Sequence, residues 1–396
     1  MIKKRFVKVI LSFLLLFSVL FCHAQIRVGA ERTEIYLPLL KNKKVAICGN
    51  QTSLIGKTHL VDTLWKLDVQ LVKIFCPEHG FRGESEAGAL ISSSSDPKTG
   101  LPIVSLYGKN KKPTPAQLEG VDIIVFDIQD VGCRFYTYIS TLHYVMEAAA
   151  ECEVEVLILD RPNPNGYYVA GPVLDTQYAS FVGMHQVPIV HGMTMAEYGR
   201  MINDEGWLKN GIHCQLSWVP MEHYTHLMRY SLPVAPSPNL RTDEAINLYP
   251  SLCLFEGTAI SIGRGTEIPF QVFGAPELQF GDFYFTPEPI KGVSENPPNK
   301  GKTCRGLNLT DSAVKNMKSI QNDFTLEYLI QAYTHFSDKN NFFNRSDFFD
   351  KLMGNSTVRE MIMKGATEQE IVLSWKSELD KFKKVRRQYL LYPDFE

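Results

Sequence analysis

Apolar residues fall along this chain in two rhythms. KKVAICGN, VQLVKIFCPEHG, PIVSLYG, VDIIVFDIQD and VEVLILDRPNPNG are short, nearly unbroken apolar runs bounded by glycine, proline or an acid. Runs of this kind predict strands buried on both faces. Between them the spacing turns helical. Leu60, Val61, Leu64 and Leu67 share one helical face, and Leu142, Val145, Met146 and Ala149 share another. Thr114-Pro115-Ala116-Gln117 and Thr194-Met195-Ala196-Glu197 have the form of capping boxes, the first with proline at the first helical position. VPIVHG reads as one more strand. Strand alternating with helix predicts an α/β fold built on a parallel, doubly wound sheet. Such sheets bind ligands outside the carboxyl ends of their strands. Three of the predicted strands end at Glu78, Asp127 and Asp160, which places these carboxylates along one edge.

The rhythm changes near residue 205. Pro-rich turns such as SLPVAPSPNL alternate with Gly-rich segments such as EGTAISIGRGTEIPF, and from Thr325 onward the pattern is helical. The chain therefore divides into residues 25–205 and a second α/β domain over 206–396. Residues 1–24 stand apart from both. Lys3, Lys4, Arg5 and Lys8 precede an apolar run from Val9 to Phe21, and Cys22-His23-Ala24 ends in a small residue. This reads as a secretory leader cleaved after Ala24, with an uncleaved anchor as the alternative, and it predicts a periplasmic or secreted protein. No second long apolar run follows, so no stable membrane insertion is expected after cleavage.

Composition narrows the chemistry. Lys plus Arg is 41 against 43 Asp plus Glu, a net charge of −2, which excludes a strongly basic nucleic-acid binder. Seven of the eight cysteines lie beyond the leader, scattered and without a CxxC pair, and read as small buried thiols. No zinc spacing is present. GNQTSLIGKT sits where a phosphate loop would, but Gln51 occupies its glycine position and the stretch to Gly56-Lys57-Thr58 is too long. GRGTEI has Ile268 in the last position of a GxGxxG, and there is no GxSxG. No nucleotide and no serine nucleophile are expected.

What remains is a set of polar groups beyond the predicted strands. Glu78, His79 and Arg82 follow one strand in a Gly-rich loop, where a partly desolvated carboxyl would suit general-acid work. FDIQDVGCRFYTYIS carries Asp127, Gln129, Asp130, Arg134, Tyr136 and Tyr138, the acids, amide and rings that grip a sugar; an Asp–Arg structural pair with core tyrosines would explain half of them. Glu197 fits a capping box as well as a site, His191 fits a core as well as a site, and Glu256 precedes a glycine in LFEGTAIS.

PEHGFRG, DPKTGLPIVSLYG, FDIQDVGCRFYTYISTL, LDRPNPNG, GPVLD, HGMTMAEY, PSPNL, YPSLCLFEGT and SIGRGTEIPFQVFGAP occur in this order. Together they resemble the exo-β-N-acetylmuramidases of glycoside hydrolase family 171, over nearly the whole chain beyond the leader. The resemblance implies a Rossmann-like N-terminal domain, a smaller α/β C-terminal domain and an active site in the cleft between them. It implies release of N-acetylmuramic acid from non-reducing ends of peptidoglycan fragments, with a muro-oligosaccharide as partner and no cofactor. Carried onto this sequence, the catalytic positions are Glu78 and Glu197, with Glu256 as substitute for the second; where the family usually has Gly-Glu, this chain has Ala196-Glu197. Asn239 in PSPNL joins the substrate-binding set. The lactyl carboxylate of the substrate calls for a bidentate arginine, expected among Arg82, Arg134, Arg161 and Arg264. Two other readings use the same cleft: a non-catalytic binder of cell-wall glycans, and an esterase or amidase on the same polymer.

Overall fold

The computed structural model describes residues 25–78, 80–82, 94–310 and 324–396. The predicted leader and His79 lie outside the described residues. The apolar runs form the strands expected of them: β1 (Val45–Gly49), β4 (Leu71–Cys76), β6 (Pro102–Ser105), β7 (Ile123–Asp127) and β8 (Glu155–Leu159). With the short strand β5 (Ser94–Ser95) and with β9 (Leu216–Val219) they make one sheet in the order β5-β6-β4-β1-β7-β8-β9. Every pair is parallel except β5 with β6. The chain thus winds outward from β1 to one edge, then crosses to β7 and winds to the other. The reversal falls between β1 and β7, where Gly49 lies level with Asp127, and such a reversal opens a crevice at the carboxyl ends of the strands.

Alternation within each run explains why the strands read as continuously apolar. Val45, Ile47, Ile74, Cys76, Ile123, Val125, Leu157 and Leu159 pack on one face of the sheet. Ala46, Cys48, Phe75, Ile124, Phe126, Val156 and Ile158 pack on the other. The second of these cores does not stop at the sheet. It runs on through Phe255, Phe273 and Phe349 to Tyr389, so the two halves of the chain share one apolar interior. The C-terminal half adds a three-stranded antiparallel sheet, β10 (Val272–Ala275), β12 (Cys304–Asn308) and β11 (Phe283–Phe285) in that order, with helices that include Asp243–Leu252, Ser346–Met353 and Glu368–Arg386.

Two sequence expectations change. The first sheet does not end at residue 205, because β9 pairs parallel with β8. Its sequence, LSWV, is half-buried and mixed in polarity, so it lacks the apolar run that marks the inner strands. VPIVHG is no strand of the sheet: Val190 makes single bridges to Ala170 and Cys133, and Pro188 cannot donate to a ladder. The Gly56-Lys57 pair forms the turn of a small hairpin, β2 (Leu54–Ile55) with β3 (Thr58–His59), rather than a phosphate-binding loop. All seven described cysteines are free thiols, and six are buried.

The C-terminal tail folds back over the carboxyl end of β8. Tyr392 donates its hydroxyl to Asp160 at 2.6 Å, and the Leu391 amide donates to Glu197 at 2.8 Å. The fully buried guanidinium of Arg386 grips Asp394 and the Gly192 carbonyl, and the His226 amide donates to the Pro393 carbonyl at 2.9 Å.

Candidate active site

A cleft of about 1190 Å³ opens beside the reversal point and draws its walls from both halves of the chain. Glu78, two residues past β4, stands half-buried in its wall. The Tyr107 hydroxyl hydrogen-bonds to Glu78, and burial together with that carboxylate pushes the Tyr107 phenol up to about 12. Tyr136 and Tyr138 follow β7. Their rings meet edge to face at 4.9 Å, and Tyr249 from the C-terminal half meets Tyr136 at 5.6 Å. Asn50, just past β1, donates to the Tyr138 hydroxyl at 3.0 Å, and that hydroxyl donates to the Pro236 carbonyl at 3.2 Å. The switch point therefore helps fix the aromatic wall through the Asn50 side chain. Asn239 closes this side, its amide donating to the Val293 carbonyl at 3.2 Å.

Glu256 and Arg264 line the same cleft from the C-terminal half. Arg264 donates to one oxygen of Glu256 from Nε at 3.1 Å and from a terminal nitrogen at 2.6 Å. The GRG motif that failed as a dinucleotide fingerprint has its explanation here. Gly263 and Gly265 both adopt left-handed backbone, with φ of 75° and 81°. A Cβ on Gly265 would stand 2.5 Å from the Glu288 carbonyl oxygen. The two glycines turn the chain sharply on either side of the arginine and hold it against Glu256.

The cleft thus gathers Glu78, Tyr136, Tyr138, Asn239, Glu256 and Arg264 from the predicted set. The others are engaged elsewhere. Arg82 is clasped by Asp62 at 2.9 Å and by both oxygens of Asp96. Asp127 pairs with Arg161 at 2.6 and 2.9 Å, both buried. Gln129 donates to the carbonyls of Asp130 and Pro162. Asp130 accepts from the Gly132 amide at 2.7 Å, and burial pushes its carboxyl up to about 7. Arg134 is fully buried and donates to four carbonyls, those of Pro172, Val187, Leu352 and Met353; burial pulls its guanidinium down to about 10. His191 accepts from the Met193 amide and lies against Tyr198, and burial pulls its imidazole down to about 3.

Glu197 stands apart from the cleft. It has no solvent exposure and makes the predicted capping box, accepting from the Thr194 amide at 2.8 Å. Its other oxygen lies 3.0 Å from His226 Nε2 and accepts the Leu391 amide. Both its oxygens are engaged, joining a helix start, an imidazole and the C-terminal tail, and it does not line the cleft. Asp160, at the same sheet edge, is likewise spent on Thr194, Ala196 and Tyr392. Of the three edge carboxylates, Glu78 alone faces the cleft. Sequence reading missed Tyr107, Lys111, Glu277, Lys302 and Arg345, which also line it. Tyr107 stood inside the SLYG motif; the others carry no local signal. Among the described residues no group of His, Cys, Asp and Glu is arranged to hold a metal ion.

Models of the N-terminal and C-terminal parts of the exo-β-N-acetylmuramidase NamZ match residues 45–244 and 247–392. The chain belongs to the NamZ exo-β-N-acetylmuramidase family. The match to the NamZ N-terminal part takes in β9. A Bacillus subtilis (strain 168) relative, the peptidoglycan β-N-acetylmuramidase NamZ, is 38% identical over 377 residues, covering 90% of this chain and 89% of its own length. Two solved structures of DUF1343 family proteins from Bacteroides fragilis have the same fold. One is 46% identical with a TM-score of 0.86, covering 94% of this chain and all of its own. The other is 30% identical with a TM-score of 0.75, covering 93% and 99%.

Proposed function

We propose that this chain is an exo-acting glycosidase that releases N-acetylmuramic acid from the non-reducing ends of peptidoglycan fragments. The observation that carries this reading is the presence of two glutamates in the wall of one cleft in a NamZ-family fold: Glu78 at the sheet's carboxyl edge and Glu256 from the C-terminal half. Glycoside hydrolysis needs one carboxyl group to protonate the leaving oxygen and a second to activate water or meet the developing positive charge. We base the roles on what surrounds each carboxyl group. Glu256 faces the Arg264 guanidinium, and a carboxylate so paired serves as the anion. We give the remaining, acid role to Glu78, which Tyr107 holds in place by its hydrogen bond. Tyr136, Tyr138 and Tyr249 offer flat apolar area to a sugar ring. The leader over residues 1–24 supports export, where peptidoglycan is met. Among the described residues no helix is long and apolar enough to cross a membrane.

The test is turnover of a chromogenic β-N-acetylmuraminide by the wild type and by Glu78→Gln. An amide cannot protonate the departing oxygen, so kcat should fall by about 10²–10⁴-fold with KM little changed. The loss should shrink with an activated nitrophenol leaving group. A raised KM with unchanged kcat would make Glu78 a binding residue instead, and binding without turnover in the wild type would favour a glycan-binding protein.

A further inference from the structure

The substrate just proposed differs from N-acetylglucosamine by a lactyl ether that ends in a carboxylate, so a selective site needs a cation that no protein carboxylate has already taken. Three of the four arginines with the expected sequence context fail on position: Arg82, Arg134 and Arg161 are locked to carboxylates or carbonyls away from the cleft. Arg264 is in the cleft, but two of its donors go to Glu256. Arg345 is different. It lines the same cleft, is exposed, and approaches residue 256 from the C-terminal helical region. Its side chain donates from one terminal nitrogen to the Glu256 carbonyl at 3.2 Å, and its guanidinium lies 4.5 Å from the centre of the Phe348 ring. Its main-chain amide donates to the Gly257 carbonyl at 3.3 Å.

These partners are all neutral, so they orient the guanidinium without cancelling its charge. Around Glu256 there are then two guanidinium groups and one carboxylate, an excess of one positive charge that faces solvent in the cleft. One substrate carboxylate is its complement. We infer that Arg345 is the specificity-determining residue for the acidic substituent: its Nε and remaining terminal nitrogen receive the lactyl carboxylate side-on, beside the Glu256–Arg264 pair. The planar fork of arginine suits that bidentate contact, and prior anchoring at Gly257, Glu256 and Phe348 lowers the ordering cost of binding.

The inference rests on the muramidase reading, and its test separates the two. Calorimetric binding of free N-acetylmuramic acid and of N-acetylglucosamine is measured for the wild type, Arg345→Ala and Arg345→Lys, alongside kcat and KM on the nitrophenyl muraminide. Arg345→Ala should weaken N-acetylmuramic acid binding and raise KM by about 10- to 100-fold, leave kcat within a few-fold, and leave N-acetylglucosamine binding unchanged. Arg345→Lys should recover part of the loss, because it restores charge without the fork. Equal losses for both sugars, or full retention of the preference for the acid, would overturn the assignment. Wild-type turnover tells whether the glycosidase reading stands, while lactyl-dependent binding is read without any turnover.

Discussion

Glu197 and Glu256 both entered the candidate site from the sequence, and their surroundings differ sharply. Glu197 satisfies Thr194, His226 and Leu391 in a dry interior. Glu197→Ala would leave these three groups without their acceptor and should cost about 3 kcal/mol of stability. Thermal unfolding should reveal that loss, while kcat of the remaining folded protein stays near wild type; a collapse of kcat at unchanged Tm would return Glu197 to the chemistry. The capping-box half of this was readable in the sequence. The other half was not, because His226 and Leu391 reach Glu197 only through tertiary structure. Asp130 supports a second expectation. Burial raises its carboxyl to about 7, far above the usual aspartate value. Between about pH 4 and 7 the folded state keeps a proton that the unfolded chain has released, so this group's contribution to stability declines as pH rises through that window and levels off above it. Asp130→Asn has no proton to lose. Its Tm relative to wild type should therefore climb by several degrees from pH 4.5 to 7.5, and a pH-independent difference would contradict the assignment.

At the scale of elements, the buried strands were legible because parallel strands covered on both faces are written as apolar runs. β9 and β10 were not: LSWV is half-polar, and VFGA is too short to show a period. The aromatic wall was legible as a cluster of tyrosines after β7, but Asp127, Gln129, Asp130 and Arg134 from that same segment point into the interior, since the segment passes from the cleft edge into the shared core. The GRG turn shows how an element can carry a site without being regular. Gly265→Ala would force a side chain into left-handed backbone and against the Glu288 carbonyl. It should destabilise the protein by about 2 kcal/mol and, by moving Arg264 off Glu256, reduce kcat/KM by roughly tenfold or more. Unchanged kinetics in a folded Gly265→Ala protein would show that the pair is dispensable.

Across the whole molecule, one apolar interior spans both family segments, from Ala46 on β1 to Tyr389 beyond the last helix. The cleft lies where these segments meet, so its two glutamates are held apart by a common core rather than by a hinge. Heating or denaturant should therefore unfold both segments together, with tryptophan fluorescence and far-ultraviolet circular dichroism giving coincident transitions. A fragment ending at residue 244 should fail to give a sharp transition of its own. Two separated transitions in the full chain would mean that the shared core contributes little. The tail over β8 adds a matter of timing. A ribosome delivers Asp160 long before Tyr392, which is 232 residues later. At about 5–20 residues per second, the newborn first sheet waits roughly 10–50 s for the hydroxyl that completes its edge. Throughout that interval the carboxyl end of β8 lacks the donor that ties it to the rest of the molecule.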